Sequence, residues 1–372
     1  MPDDPSPAAP GRPPGATGPA PGAPTGRSSA VQLPRYWYVA CLARELRRRP
    51  VGRTVLGVPL ALFRDARGRP VALLDRCPHR NVPLSLGERR PDGQIACRYH
   101  GWRFDGDGAC REVPGLREEN PDRVARRVPS FPAVERDGLV WVVPSAEGPV
   151  QAEPLRMPHV GEAGYSSVWR SRPLAATVHA AVENALDVPH TAFLHRGLFR
   201  GRRRPVPVEV TVRHGPGLVE AVYEGEPLPP GLAARVLAPE GGVVEHVDRY
   251  LLPSIAQVEY RLGDSHLVIT SAYTPVGDTE TVLHAVVTFR VRLPAALVRA
   301  VAVPIADQIL RQDAWVLRRQ TENVRRFGGE QFASTPIDVL GPHILRMMRR
   351  AERGEIDGGE QPPAPERLTL VV

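Results

Sequence analysis

The chain has 372 residues, 42% hydrophobic and 24% charged, enough for two domains that each bury a core. Its net charge of +7 raises the question of a nucleic-acid surface, but the basic residues are scattered and no nucleic-acid-binding motif accompanies them, so that class is excluded. No apolar run reaches a membrane span, because even Val291 to Leu310 is interrupted by Arg292, Pro294, Arg299 and Asp307. The expectation is a soluble, cytoplasmic protein that binds neither membrane nor nucleic acid.

In chain order, residues 1–33 are rich in Pro, Gly and Ala, lack the apolar segment of a secretory signal, and read as a disordered tail. Residues 34–147 read as a small antiparallel β domain. Its β-prone runs are Leu60–Phe63, Val71–Leu74 and Gly138–Val143, with a turn at Asp65-Ala66-Arg67-Gly68. A Pro-, Glu- and Gly-rich stretch from Pro144 to Pro158 suits a linker into a second domain, residues 148–372. There a helical stretch over Thr177–His195 precedes strands at Val206–Val212, Leu218–Tyr223, Val244–Leu252, Ala256–Leu262, Leu267–Tyr273 and Thr281–Val291. A long helix from Pro294 to Phe327 follows, with Pro304 as a kink. Strands followed by one long helix make this an α+β domain with the helix packed on the sheet. The basic runs Arg47–Arg49 and Arg200–Arg204 read first as solvated surface and second as a docking patch for an acidic redox partner.

Four cysteines occur, Cys41, Cys77, Cys97 and Cys110, and two of them stand beside histidines. The segment Cys77-Pro78-His79, then 17 residues, then Cys97-Arg98-Tyr99-His100 puts one thiol and one imidazole on each of two arms. A zinc site uses the same ligand types, but zinc fingers place both cysteines on one arm and both histidines on the other. Mixed arms suit a [2Fe-2S] centre with two imidazoles on one iron. The remaining Cys41 and Cys110 read as small buried or surface residues.

The two arms, with Gly101-Trp102 after the last ligand and Gly138–Val143 as a closing strand, resemble the Rieske family. Respiratory Rieske proteins carry an extra disulfide between the loops; the matching positions here are Val82 and Tyr99, so the resemblance is to the oxygenase branch. It implies a [2Fe-2S] cluster on Cys77, His79, Cys97 and His100, and a helix-grip (START/Bet v1-like) catalytic domain with the C-terminal helix on a curved antiparallel sheet.

Downstream, His190 and His195 stand five apart, a spacing that a regular helix would turn to different faces; Pro189 perturbs the helix between Asp187 and these histidines. Two histidines and a distant carboxylate make the triad that binds Fe(II) and leaves positions open for dioxygen. The carboxylate is sought on the long helix, at Asp307, Asp313 or Glu322. Asp313 is flanked at one-turn offsets by Ile309, Leu310, Val316 and Leu317, an inward face; Glu322 is flanked by arginines, and Asp307 lies at the border. Asp313 is the preferred ligand and Asp307 the second.

The run from Asn184 through Asp187 and His190 to His195 resembles the mononuclear-iron motif of Rieske oxygenases, and Gln312-Asp313 with Leu317 and Gln320 resembles the carboxylate segment of the monooxygenase, demethylase and chlorophyllide-oxygenase-like branch. The resemblance implies that His190 and His195 bind mononuclear iron, that Asp187 bridges to a cluster histidine of a neighbouring subunit, and that Asn184 lines the site. It further implies an oxygenase component, assembled as a homotrimer, that uses O2 to hydroxylate, demethylate or otherwise oxidise a mostly apolar aromatic or polycyclic molecule. No Gly-rich dinucleotide fingerprint follows a strand, so NAD(P)H serves through a separate flavin-dependent reductase, with or without a ferredoxin. The alternative is a Rieske electron carrier without oxygenase chemistry.

Overall fold

The computed structural model describes residues 29–117, 120–145, 150, 153–195, 206–226, 244–355 and 363–371. The first 28 residues of the expected tail and the run Arg200–Arg204 lie outside the described residues.

The N-terminal part holds three small antiparallel sheets. Strands β1 (Tyr38–Leu42), β2 (Val51–Val55), β3 (Val58–Arg64), β4 (Pro70–Leu74), β5 (Glu88–Arg89), β6 (Ile95–Ala96), β7 (Arg103–Phe104), β8 (Cys110–Glu112), β9 (Ser130–Phe131), β10 (Ala133–Arg136) and β11 (Leu139–Val142) form them. Their orders are β1-β11-β10, β2-β3-β4-β9 and β5-β6-β7-β8. The expected turn at Asp65 forms because its carboxylate accepts the N–H groups of Arg67 (2.9 Å) and Arg69 (2.8 Å), replacing backbone partners.

The second part is built on β12 (Ser166–Leu174), helices α1 (Val178–Leu186) and α2 (Thr191–Leu194), then β13 (Pro207–Gly215), β14 (Leu218–Glu224), β15 (Val244–Leu251), β16 (Ile255–Leu262), β17 (Ser265–Gly277) and β18 (Glu280–Arg290). Helix α3 (Ala295–Arg326), helix α4 (Gly341–Glu352) and β19 (Glu366–Val371) complete it. One eight-stranded antiparallel sheet runs β12-β18-β17-β16-β15-β14-β13-β19 and carries α1, α3 and α4, a helix-grip α+β arrangement. In β13 and β14 buried and more exposed residues alternate strictly, as period-two strands with one covered face require. β17 is buried almost throughout because the N-terminal sheet covers its other face: Val39, Leu139 and Trp141 pack with Ala272 and Val286.

The structure differs from the sequence expectation at several elements. The helix expected over 177–195 is two helices, since α1 stops at Leu186 and Asp187 takes an extended conformation (φ −92, ψ 98) before Pro189. The expected long helix is α3, 32 residues with Pro304 inside it. Strands β12 and β19 and helix α4 were not expected at all, and two of them close the ends of the sheet.

Candidate metal centres and catalytic cleft

The two cysteine arms are backbone copies of each other. Cys77 N–H donates to Val82 O (2.9 Å) and Asn81 N–H to Cys77 O (2.9 Å); Cys97 N–H donates to Trp102 O (2.8 Å) and Gly101 N–H to Cys97 O (2.9 Å). Each loop turns back through a left-handed residue four after its cysteine, Asn81 (φ 61) and Gly101 (φ 73), the residue types that tolerate this region. At 101 a Cβ would also meet Pro114 Cγ at 3.1 Å.

The loops bring His79 and His100 together with ring centroids 4.5 Å apart, and Trp102 stacks on His79 at 4.8 Å. Both thiols are buried, and burial together with the neighbouring Cys97 pushes the Cys77 thiol up to about 11. His79 Nδ1 is buried without a hydrogen-bond partner. A thiol that resists ionising alone and an orphaned imidazole nitrogen both fit a bound metal. Among the described residues no three ligand atoms of this set lie within 4.8 Å of one another, so the arms suit a wider two-iron cluster better than a single tetrahedral ion. All four cysteines are free, and Tyr99, at one of the clamp positions, is 62% exposed.

The second centre joins α1, α2 and α3. Thr177 caps α1 by accepting from Ala180 N–H (3.1 Å), and the break at Asp187–Pro189 lets α2 restart with a new phase. His190 Nε2 then lies 3.2 Å from His195 Nε2. Asp313 Oδ1 lies 3.1 Å from His195 Nε2 and 3.7 Å from His190 Nε2. Their outer nitrogens are oriented: His195 Nδ1 pairs with Gln312 Oε1 at 2.8 Å, and His190 Nδ1 with the Asp187 backbone carbonyl. With Nδ1 donating, each neutral ring presents a lone pair at Nε2. Asp313 Oδ1 is buried and receives no hydrogen bond. In the tautomers with Nδ1 donating outward, the three converging atoms are all acceptors that a cation would join, so His190, His195 and Asp313 can hold one metal ion. Of the other carboxylates considered, Asp307 sits 3.8 Å from Arg170 and Glu322 pairs with Arg319 at 2.8 Å; neither meets a histidine of the pair.

A cleft of about 470 Å³ opens beside His190, lined by Asn184, Asp187, Phe193, Tyr223, Leu317 and Gln320 among others. Tyr223 is the strand residue there; the other lining residues come from α1, the connection Asp187–His190, α2, α3 and residues 337–341. Two features escaped the sequence reading. Glu183 is pushed up to about 7 by burial and by the charges of Asp187, Asp338 and Glu330; its position four before Asp187 on one helix face was the available signal. His246 sits between Glu226 (2.7 Å) and Asp248 (2.9 Å), sandwiched by the rings of Tyr223 and Tyr260 at 4.5 and 4.2 Å. Burial lowers its pKa, but the two carboxylates outweigh burial and hold it at about 9.

Comparison with known proteins agrees with this geometry. Residues 36–132 match the Rieske [2Fe-2S] domain family, and residues 174–354 match the vanillate O-demethylase oxygenase C-terminal domain. The oxygenase component of chloroacetanilide N-alkylformylase from Rhizorhabdus wittichii is 30% identical over 89% of this chain and 97% of its own length. The oxygenase component of dicamba O-demethylase from Stenotrophomonas maltophilia is 40% identical over 43% of this chain and 47% of its own, so the chain spans about half the length of that relative. A crystal structure of dicamba monooxygenase bound to 3,6-dichlorosalicylic acid superposes with a TM-score of 0.75 at 27% identity, covering 88% of this chain and 99% of that one.

The two arms, the histidine–carboxylate group and these matches define a chain with a Rieske [2Fe-2S] domain ahead of a vanillate O-demethylase-type C-terminal domain. The chain belongs to the Rieske non-haem iron oxygenases. Among the described residues no helix is long and apolar enough to cross a membrane.

Proposed function

We propose that this chain is an oxygenase component that hydroxylates or demethylates a small, mostly apolar aromatic or polycyclic molecule, with its catalytic unit at 148–372 behind a cluster unit at 34–147. One observation carries the reading: His190 Nε2, His195 Nε2 and Asp313 Oδ1 converge in the same chain that bears the two mixed arms. Iron held by these three residues supplies dioxygen activation, and a [2Fe-2S] cluster on Cys77, His79, Cys97 and His100 supplies electrons one at a time. An electron carrier alone does not account for the converging triad.

The residues divide the work. Gln312 and the Asp187 carbonyl fix the imidazole tautomers, so the open side of the triad keeps one geometry. Phe193, Leu194, Val316 and Leu317 line the cleft with apolar side chains that receive an apolar substrate and exclude water. Asn184 lies on the same wall.

Electron entry supports a homotrimer. His100 is exposed at the tip of its arm and the Asp187 side chain is 36% exposed, so a cluster histidine of one subunit has access to Asp187 of the next. An exposed apolar stripe at Leu297, Val301 and Ile305, at four-residue spacing on α3, is available for subunit contact. Arg48, Arg49, Arg89, Arg90 and Arg98 border a depression at Cys97, a basic approach for an acidic flavin-dependent reductase or ferredoxin. Free thiols at all four cysteines fit a reducing cytoplasm.

The test is iron and sulfide analysis of purified protein with EPR of the reduced form, beside substrate-dependent O2 uptake with a surrogate reductase. About three irons and about two sulfides per chain are expected. Only the cluster's two irons, unchanged in Asp313→Ala, would overturn the reading.

A further inference from the structure

A second group of two imidazoles and one carboxylate lies away from the triad, two of its three members on elements the sequence reading left unassigned. His214 stands near the end of β13, His343 in the first turn of α4, and Glu366 at the start of β19. Their ligand atoms all lie within 4.8 Å of one another. The two rings are 4.8 Å apart at their centroids, and His343 Nε2 is 3.9 Å from Glu366 Oε2.

Among the described residues, His214 Nε2 and His343 Nδ1 are both buried and without hydrogen-bond partners, a costly state for imidazole nitrogens. Burial holds both rings below the usual histidine range, and the Arg346 guanidinium pushes in the same direction while Glu366 opposes it. Neutral imidazoles keep the lone pair that a metal needs, and the Glu366 carboxylate offsets a cation's charge. Glu366 is the exposed member, with 55% of its side chain accessible, which leaves an entry path and room for water ligands.

We propose that His214, His343 and Glu366 form a cation site, distinct from the catalytic triad, that takes a divalent transition ion of the Zn²⁺ type and fastens the C-terminal edge of the sheet. The ligand chemistry is that of borderline ions: imidazole with carboxylate suits Zn²⁺, Co²⁺ or Ni²⁺, while Mg²⁺ and Ca²⁺ prefer oxygen alone. The placement explains what such an ion does. β19 is the outermost strand and pairs with β13 from Pro207–Val371 to Val212–Glu366, so Glu366 ends the ladder beside His214. α4 buries Ile344 and Met348 against the same region. One ion therefore ties together three elements whose ligands are far apart in sequence, and stabilises the folded state by its preference for the assembled site.

The experiment uses full-length, cluster-loaded protein carrying Asp313→Ala, which removes the triad's carboxylate, and reads Zn²⁺ binding by calorimetry and the melting temperature with and without Zn²⁺. About one equivalent of Zn²⁺ and a higher melting temperature are expected. Adding Glu366→Gln, at an exposed strand end outside the core, weakens binding on the order of tenfold or more; adding His214→Gln and His343→Gln together abolishes both the binding and the melting shift. Absence of Zn²⁺ binding in the Asp313→Ala protein overturns the proposal, and so does undiminished binding in either further variant. Because the cluster is loaded and the triad disabled in every sample, the oxygenase reading is not at stake in the result.

Discussion

The cysteine–histidine arms and the proposed iron triad assemble candidate metal ligands in opposite ways. The arms lie within residues 77–102, and each is a loop closed by its own backbone hydrogen bonds, with Cys77 bonded to Val82 and Cys97 to Trp102. The triad draws on helices whose ligands are more than a hundred residues apart; His195 meets Gln312 across 117 positions. A local site is held by loop conformation, whereas a non-local site exists only when the sheet and helices are packed. The first therefore responds to backbone strain and the second to anything that shifts α1 and α2 against α3.

Asp313→Ala should break the comparison most sharply. Substrate-dependent O2 uptake is expected to fall to background while the EPR signal of the reduced cluster persists, because each arm is closed by its own backbone hydrogen bonds. Loss of both signals together would contradict the separation of the two sites.

A pH lever sits on the catalytic side. His246 titrates near 9 in the fold, above its ordinary value, so its contribution is fully present below about pH 6.5 and is lost as pH rises through about 9. On the order of 3 kcal/mol of stability should disappear across that window, since each pKa unit is worth about 1.4 kcal/mol. Urea unfolding at pH 6 and pH 9.5 measures it, and His246→Met should flatten the difference; an unchanged slope in that variant would remove His246 as the cause.

Gln312→Leu leaves the triad ligands in place but deprives His195 Nδ1 of its acceptor. Iron affinity should drop about 10- to 100-fold, read by iron retention during dialysis against a chelator, with sulfide content unaltered. The smallest effect is expected at the arms: Gly101→Ala puts a Cβ into a left-handed position and costs about 1–2 kcal/mol, visible as faster loss of the cluster's visible absorption on heating. Asn81→Gly, which relaxes the equivalent turn, should not accelerate that loss.

The contrast also explains what could be read from the sequence. Cys77, His79, Cys97 and His100 were legible as candidate ligands because both arms are contiguous and the ligand order within each differs from a zinc finger. His190 and His195 were legible through Pro189, which signals that helical phase is reset between them. Asp313 stood out by its apolar neighbours Leu310 and Leu317 at one-turn offsets. His246 had no such signal, since Tyr223 and Tyr260 reach it only through strand register, and His214, His343 and Glu366 meet because β19 returns to pair with β13. The cleft wall at residues 337–341 was missed for the same reason: its position follows from where α4 docks, and no local pattern encodes that.

The tight turn between β2 and β3 has a mechanical meaning. Leu56 N–H donates to Pro275 O (2.7 Å) and Gly57 N–H to Val276 O (2.9 Å), and Thr274 Oγ1 donates to Val39 O (2.6 Å), so the backbone of the cluster unit is hydrogen-bonded directly to β17. Trp141, Val39 and Leu139 bury themselves against Ala272 and Val286 alongside. The two units thus share one cooperative melting event, and calorimetry should record a single transition. Excising the cluster unit would bare that apolar strip and yield a fragment that associates with itself, so the N-terminal half of this chain is not a detachable module.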